Sequence, residues 1–206
     1  SQTSYYDHLI TGWFLSKRQV NHTKSRLFGG SSREVLKYGE NPHQDAWYLN
    51  SPALERKTKY LVKILNGALS YNNLADMTAA YKILCELEDY NKSSCVIIKH
   101  GNPCGVAIDN KILGAYKKSI ETDPISAFGG IVAVNQKVDE KLAKRILSVF
   151  TEVIIAKSFS PEAFKMLSFK KNIKIVEIKS FDRTLLHTEE VRSVIGGYLV
   201  QETSLS

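Results

Sequence analysis

The stretch Cys95–Ala107, "CVIIKHGNPCGVA", decides both how the chain folds and where its chemistry lies. Its first four residues form a continuous apolar run, which predicts a strand covered on both faces of a sheet. The residues after His100 are rich in turn formers and predict a loop. Lys99 and His100 stand side by side where strand gives way to loop. Such a pair is a candidate site, because ligands of open α/β sheets bind outside the carboxyl ends of strands.

Short apolar runs and helical patterns alternate along most of the chain. Further buried strands are predicted at "IVAVN" (131–135), "EVIIA" (152–156) and "IKIVEI" (173–178). Helices are predicted over 70–88, about 112–121, 139–149 and from Pro161, with Asn72 or Asn73 capping the first and Asp76 in its first turn. Two short strands, "EVLKYG" and "DAWYL", flank the turn "GENPHQ". This alternation predicts an α/β sandwich with a mostly parallel sheet.

The first 32 residues read differently from the rest of the chain. Apolar residues at helical spacing predict an amphipathic helix over 4–16, and residues 17–32 are polar and rich in Ser, Lys and Gly. We therefore expect residues 1–32 to form an N-terminal helix and linker arm, and residues 33–206 to form the main domain.

Composition excludes several classes of protein. The chain has 206 residues, 43% of them hydrophobic, which is enough for one domain with an arm. We expect no membrane span and no signal peptide. The odd cysteine count of 3 argues against a disulfide framework. These features together predict the cytoplasm. The net charge of +7 is spread along the chain without an interleaved aromatic ladder, so a nucleic-acid partner is not expected. A basic surface also suits an anionic small molecule.

Lys99 and His100 have a chemical and a structural interpretation. A histidine can move a proton near neutral pH, and a neighbouring lysine can stabilise negative charge that develops on an oxygen. Alternatively, the histidine is structural and the lysine extends to solvent. The residues alone leave both interpretations open.

A zinc site is not predicted around "GNPCG". Zinc deaminases combine H-x-E with P-C-x-x-C. Here Gly105, Val106 and Ala107 follow Cys104, and Asn102 stands where the glutamate after His100 would be. We therefore interpret Cys104 as a small turn residue and expect no bound metal.

Two further loops contain candidate binding residues. In "DPISAFGG", Gly129 and Gly130 permit positive φ and close backbone approach to a ligand, although an ordinary tight turn would also explain them. In "LKYGENPHQ", the side chains of Lys37 and Tyr38, followed by Asn41, His43 and Gln44, suit a phosphate or a sugar. A plain surface loop would have the same composition.

Four segments taken together carry a specific resemblance. "LKYGENPHQ", "LSYNNLADMTAA", "IIKHGNPCGVA" and "DPISAFGGIVAVN" occur in this order, and the match runs from about Val35 to "GGYLVQ". The chain resembles the aminoimidazole carboxamide ribonucleotide (AICAR) transformylase portion of the bifunctional purine biosynthesis proteins. The resemblance implies a cytidine-deaminase-like three-layer fold without zinc. It also implies transfer of a formyl group from 10-formyltetrahydrofolate to the 5-amino group of AICAR.

The resemblance also implies roles for individual residues. His100 matches the base that deprotonates the amine, and Lys99 matches the group that stabilises the transition state. Lys37 and Tyr38 match an Arg-Tyr pair that binds the nucleotide, with lysine in place of arginine. Gly129 and Glu152 match two further nucleotide contacts.

The resemblance covers only part of the family's protein. Residues 33–206 match the first of two similar transformylase lobes, and nothing matches the IMP cyclohydrolase domain. Most folate contacts belong to the second lobe, and family sites form across a homodimer interface. We therefore expect this chain to be a piece of a longer enzyme that is inactive alone, or alternatively a catalytically silent nucleotide-binding lobe.

Overall fold

A computed structural model describes Asp7, Ile10, Gly30 and residues 33–51, 54–187 and 189–203 of the chain. The predicted helix over 4–16 and the arm up to residue 32 therefore lie outside the described residues, apart from those three positions. The strands are β1 Arg33–Leu36, β2 Ala46–Leu49, β3 Val62–Asn66, β4 Ser93–Lys99, β5 Asn102–Asp109, β6 Gly130–Val134, β7 Lys137–Val138, β8 Thr151–Ala156, β9 Ser158–Phe159, β10 Lys174–Ile178, β11 Glu189–Val194 and β12 Gly197–Glu202. The α-helices are α1 Glu55–Leu61, α2 Tyr71–Leu87, α3 Ile112–Thr122, α4 Glu140–Leu147 and α5 Pro161–Ser168.

The central sheet is mixed rather than mostly parallel. Its six strands lie in the order β3-β10-β8-β6-β4-β5. Only β6, β8 and β10 run parallel, while β3, β4 and β5 are antiparallel to their neighbours. The expectation of a mostly parallel sheet fails at its edges, because β4 and β5 are successive strands joined by a tight turn and must run antiparallel.

Strand β5 replaces the loop predicted after His100. Asn102–Asp109 pairs along β4, with a register shift between Ile97 and Ile98. Proline is tolerated here because β5 is the last strand in the sheet order, where a missing N–H breaks no inner ladder. The turn formers in this segment therefore mark an edge strand, not a loop.

Helices cover both faces of the sheet, so the chain forms three layers. On β4, Cys95 and Ile97 point to one core, and Val96 and Ile98 point to the other. Helix α2 packs on the second face, and α3, α4 and α5 pack on the first. Strands β4, β6, β8 and β10 are largely buried, which explains their unbroken apolar runs. The finer expectation of a cytidine-deaminase-like topology stays a prediction.

The cap of α2 differs from the prediction. Ser70, not Asn72 or Asn73, is the N-cap, and its Oγ accepts a hydrogen bond from the Asn73 N–H at 3.1 Å. The Asn73 side chain returns the contact by accepting from the Ser70 N–H at 3.2 Å. This is a capping box, which satisfies two otherwise unpaired donors. Since the helix begins at Tyr71, Asp76 lies in its second turn, not its first.

The helices predicted over about 112–121, over 139–149 and from Pro161 are confirmed, with boundaries within a few residues. The two short strands that flank "GENPHQ" are also confirmed, and they pair as the β1-β2 hairpin. Strand β3, helix α1 and the β11-β12 hairpin were not predicted. The hairpin is largely exposed and is joined to α2 by an ion pair between Lys82 and Glu190. Within the described part of the chain, no helix is long and apolar enough to cross a membrane.

Candidate functional site

One edge of the sheet brings together candidates that are far apart in sequence. Because β4 runs antiparallel to β6, the end of β4 at Lys99 lies beside the start of β6, just after Gly129. Because β6 and β8 are parallel, Glu152 near the start of β8 lies along the same edge. The site thus combines the carboxyl end of β4 with the amino ends of parallel strands.

His100 lies in a strained two-residue turn. His100 has φ 53° and Gly101 has φ 74°, and the flanking residues Lys99 and Asn102 are paired across the hairpin. Two left-handed residues in a two-residue hairpin define a type I′ turn. A residue other than glycine is uncommon in this conformation, although histidine adopts it more often than most. The turn takes His100 out of the strand and leaves its side chain exposed.

Two side-chain hydrogen bonds hold this turn in place. The Gly101 N–H donates to Asp76 Oδ1 on α2 at 2.6 Å. The Asn102 side-chain amide donates to the His100 carbonyl at 3.0 Å. The turn is therefore attached to a helix as well as closed on itself.

Lys99 is held on the other side of the turn. Its Nζ donates to the Phe128 carbonyl at 2.7 Å, which ties β4 to the loop before β6. Hydrogen bonds from Ser126 hold the pKa of Asp123 below its usual value, and the positive charge of Lys99 adds to this.

Cys104 is a poor candidate nucleophile. Burial raises the pKa of its thiol, and the Asp123 carboxylate raises it further. The thiolate, not the thiol, is the reactive form. Cys104 lies in strand β5, so its interpretation as a turn residue is wrong. Among the described residues, no three His, Cys, Asp or Glu side chains are grouped in a way that could hold a metal ion.

Gly129 and Gly130 are both required by the backbone, for different reasons. Gly129 has φ 78°, and its N–H donates to the Phe150 carbonyl at 2.8 Å. A Cβ on Gly130 would lie 2.8 Å from the Ile98 carbonyl oxygen, so this glycine lets β6 approach β4 closely. The loop is thereby fixed against Phe150 and the end of β4.

Glu152 is held by α2. Its Oε2 accepts a hydrogen bond from the Asn73 side-chain amide at 3.1 Å, and Lys174 Nζ lies 4.0 Å from the same oxygen. Asn73 uses its amide oxygen in the cap of α2, so both ends of its side chain are engaged. The carboxylate is thus oriented, while its side chain remains 42% exposed.

Lys37 and Tyr38 follow β1 and lie at the mouth of a cleft. Lys37 Nζ is 5.5 Å from the centre of the Tyr38 ring, within cation–π range. The Gln44 side chain accepts from the backbone and side chain of Asn41, so these two polar residues close the loop itself. Lys37 is exposed and lines the cleft, so its charge is accessible there.

The predicted residues fall into two groups. A cleft of about 1750 Å³ is lined by Lys37, Tyr38 and Glu152, whereas Lys99, His100 and Gly129 are not among its lining residues. The beginning of α2 joins the two groups through three contacts. The Asn72 side-chain amide donates to the Glu40 carbonyl at 3.3 Å. The Asn73 side-chain amide donates to Glu152, and Asp76 accepts from the Gly101 N–H.

Sequence reasoning missed Asn73, Asp76 and Lys174 as parts of this site. Asn73 and Asp76 are separated by three positions, so they share one face of α2, and this spacing was a usable signal. Lys174 follows a polar stretch and reaches the edge only because β10 is parallel to β8. That pairing could not be deduced from local pattern.

Comparisons with known proteins give the family. A model of the AICARFT/IMPCHase bienzyme matches residues 1–206. The bifunctional purine biosynthesis protein PurH of Mesorhizobium japonicum is 41% identical over 203 residues, which is 98% of this chain and 37% of the relative. PurH of Bradyrhizobium diazoefficiens is 37% identical over 98% of this chain, and PurH of Thermoanaerobacter sp. is 37% identical over 97%; each is covered to 38%. The chain spans little more than a third of these relatives, and it belongs to the AICARFT/IMPCHase bienzyme family.

Proposed function

We propose that this chain forms part of an enzyme that transfers a formyl group from 10-formyltetrahydrofolate to the 5-amino group of AICAR. The observation that carries the proposal is the Lys99–His100 pair, held at the sheet edge by Phe128 and Asp76. This pair provides a proton acceptor and a cation at adjacent positions. Formyl transfer to an amine needs both.

The reaction assigns one task to each side chain. His100 takes a proton from the 5-amino group of AICAR while the amino nitrogen forms a bond to the formyl carbon. The Lys99 ammonium stabilises the negative charge that develops on the formyl oxygen. The bond between the formyl carbon and the folate nitrogen then breaks, and that nitrogen takes up a proton as tetrahydrofolate leaves. The amine is conjugated to a carboxamide-bearing ring and is a weak nucleophile, so base catalysis matters here.

The nucleotide is proposed to bind along the same edge. Lys37 and Tyr38 would contact the phosphate, and Gly129 and Glu152 would contact the rest of the nucleotide. Lys37 lies at the cleft that Glu152 also lines, which supports one nucleotide reaching both. Since lysine is a point charge without the forked geometry of arginine, the phosphate contact would be made through a single ammonium group.

The remaining length of the relatives is proposed to supply the rest of the active site. Residues 33–206 would be the first transformylase lobe, and a second lobe would provide most folate contacts. The active form is proposed to be a homodimer in the cytoplasm. The three cysteines are free, which suits a reducing compartment.

A catalytically silent nucleotide-binding lobe is the second candidate function, because the chain spans only 37% of its relative. Both functions predict AICAR binding, so turnover separates them. We expect the complete gene product to release tetrahydrofolate from 10-formyltetrahydrofolate only when AICAR is present. Binding of AICAR without release, at saturating folate, would favour the silent lobe.

Replacing Lys37 with alanine is expected to raise KM for AICAR about tenfold in the complete gene product, with kcat little changed. A phosphate contact is made equally in the ground and transition states, and one charge-assisted hydrogen bond is worth about 1.5–3 kcal/mol before solvent screening. Steady-state kinetics at varied AICAR measures both constants.

Two control variants sharpen this test. Lys37→Arg keeps the charge and restores a forked donor, so its KM should equal or fall below that of the wild type. Lys141→Ala removes an exposed lysine from α4, on the opposite layer, and should leave KM unchanged. A loss confined to kcat in Lys37→Ala would contradict the phosphate assignment.

A further inference from the structure

We propose that Asp76 is a positioning residue that holds the His100–Gly101 turn in its left-handed form and so sets where His100 meets its substrate. This inference rests on the proposed function for its catalytic consequence. The contact that carries it is the hydrogen bond from the Gly101 N–H to Asp76 Oδ1 at 2.6 Å.

The turn needs an external support. His100 has φ 53°, so a residue with a side chain adopts the left-handed region, which L residues rarely do. Such a conformation persists only where its surroundings determine it. Among the described residues, none beyond its two chain neighbours lies within 4 Å of the position that a Cβ on Gly101 would occupy, so packing on that side supplies no such support.

The acceptor is charged and sits on a rigid element. A carboxylate accepting from a backbone N–H makes a shorter and stronger bond than a neutral acceptor. Helix α2 is fixed by its capping box at Ser70 and by burial of Ala80 and Leu84 against the sheet. Asp76 therefore fixes the turn relative to α2. Functional side chains need such support from a rigid element.

Favourable interaction with the helix dipole does not account for an aspartate at position 76. Negative charge is favourable mainly within the first turn of a helix. The first turn of α2 contains no acidic residue, and Asp76 lies in the second turn. Its neighbour on the same face, Asn73, is likewise directed to a site residue, Glu152. One helix face thus orients two parts of the candidate site.

Loss of the carboxylate should affect catalysis more than binding. Without the acceptor, the turn can relax and His100 shifts, and a shift of about 1 Å can cost on the order of 100-fold in rate. The proposed nucleotide contacts should persist, because Glu152 is held by Asn73 and Lys37 lies against the Tyr38 ring. A fall in kcat with an unchanged KM for AICAR is the expected signature.

The experiment compares three variants of the complete gene product. Asp76→Ala should lower kcat by about 10–100-fold. Asp76→Asn keeps an oxygen that can accept from Gly101 and should recover most of the activity. Asp139→Ala removes a matched aspartate that caps α4 by accepting from the Leu142 N–H at 2.8 Å, and should reduce stability without changing kcat.

Hydrogen–deuterium exchange, followed by mass spectrometry, tests the contact independently of catalysis. Peptides that contain Gly101 should exchange faster in Asp76→Ala, and at the wild-type rate in Asp76→Asn and Asp139→Ala. Unchanged exchange in Asp76→Ala would overturn the inference, and so would an equal loss of kcat in Asp139→Ala. A wild-type protein without formyl transfer would refute the proposed function instead, while exchange would still decide whether Asp76 holds the turn.

Discussion

Replacing His100 is expected to lower kcat for formyl transfer by about 10²–10⁴-fold in the complete gene product, the usual contribution of a general base. AICAR affinity should change little, because Lys37, Tyr38 and Glu152 belong to other segments. Initial rates with both substrates saturating give kcat, and calorimetric titration with AICAR gives the affinity.

The choice of substitution matters because His100 has φ 53°. Alanine removes the base but also tolerates the left-handed conformation poorly, so His100→Ala changes two things. Asparagine adopts this conformation more readily and cannot act as a base near neutral pH. Equal losses in His100→Asn and His100→Ala would assign the effect to proton transfer. Near-normal turnover in His100→Asn would exclude His100 as the base.

Replacing Gly105 with alanine is expected to destabilise the fold by about 3 kcal/mol or more, at or above the usual upper end for overpacking. A Cβ on this buried residue of β5 would lie 1.9 Å from the Ser119 carbonyl oxygen on α3. Because the atom that it meets belongs to the backbone, no side-chain rotation relieves the clash. The melting temperature should fall by about 2–4 °C for each kcal/mol of stability that is lost.

Gly197→Ala is the matched control for this prediction. Gly197 also lies in a strand, but no described residue other than its chain neighbours lies within 4 Å of its added Cβ, and its φ is not in the left-handed region. Its melting temperature should stay close to that of the wild type. A Gly105→Ala variant as stable as Gly197→Ala would mean that α3 does not approach β5 as closely as described.

The buried strands were predictable because their signal is local. A run such as "CVIIK" has few alternatives once both faces are covered, and β4, β6, β8 and β10 were all placed by their apolar runs. Strand β5 was not, because its proline and glycines are turn formers that an edge strand tolerates. Strand direction was also missed, because it depends on which strands pair. Pairing is set by contacts between segments that are far apart in sequence, so no single segment predicts it.

The candidate site was only partly accessible from sequence. Lys99 and His100 stood out because two polar residues end an apolar run. Asp76 did not, because an acidic residue near a helix start has an ordinary explanation in the helix dipole. Its contact with Gly101 joins α2 to the turn between β4 and β5 across 25 positions of sequence, and only the folded chain brings the two together.

The most direct test of the central claim is transfer of an isotopically labelled formyl group. The complete gene product should move the label from 10-formyltetrahydrofolate to the 5-amino nitrogen of AICAR, detected by mass spectrometry of the nucleotide. The wild type should give stoichiometric labelled product, and His100→Asn should give almost none in the same time. Unlabelled AICAR after prolonged incubation with folded wild-type protein and both substrates in excess would contradict the account.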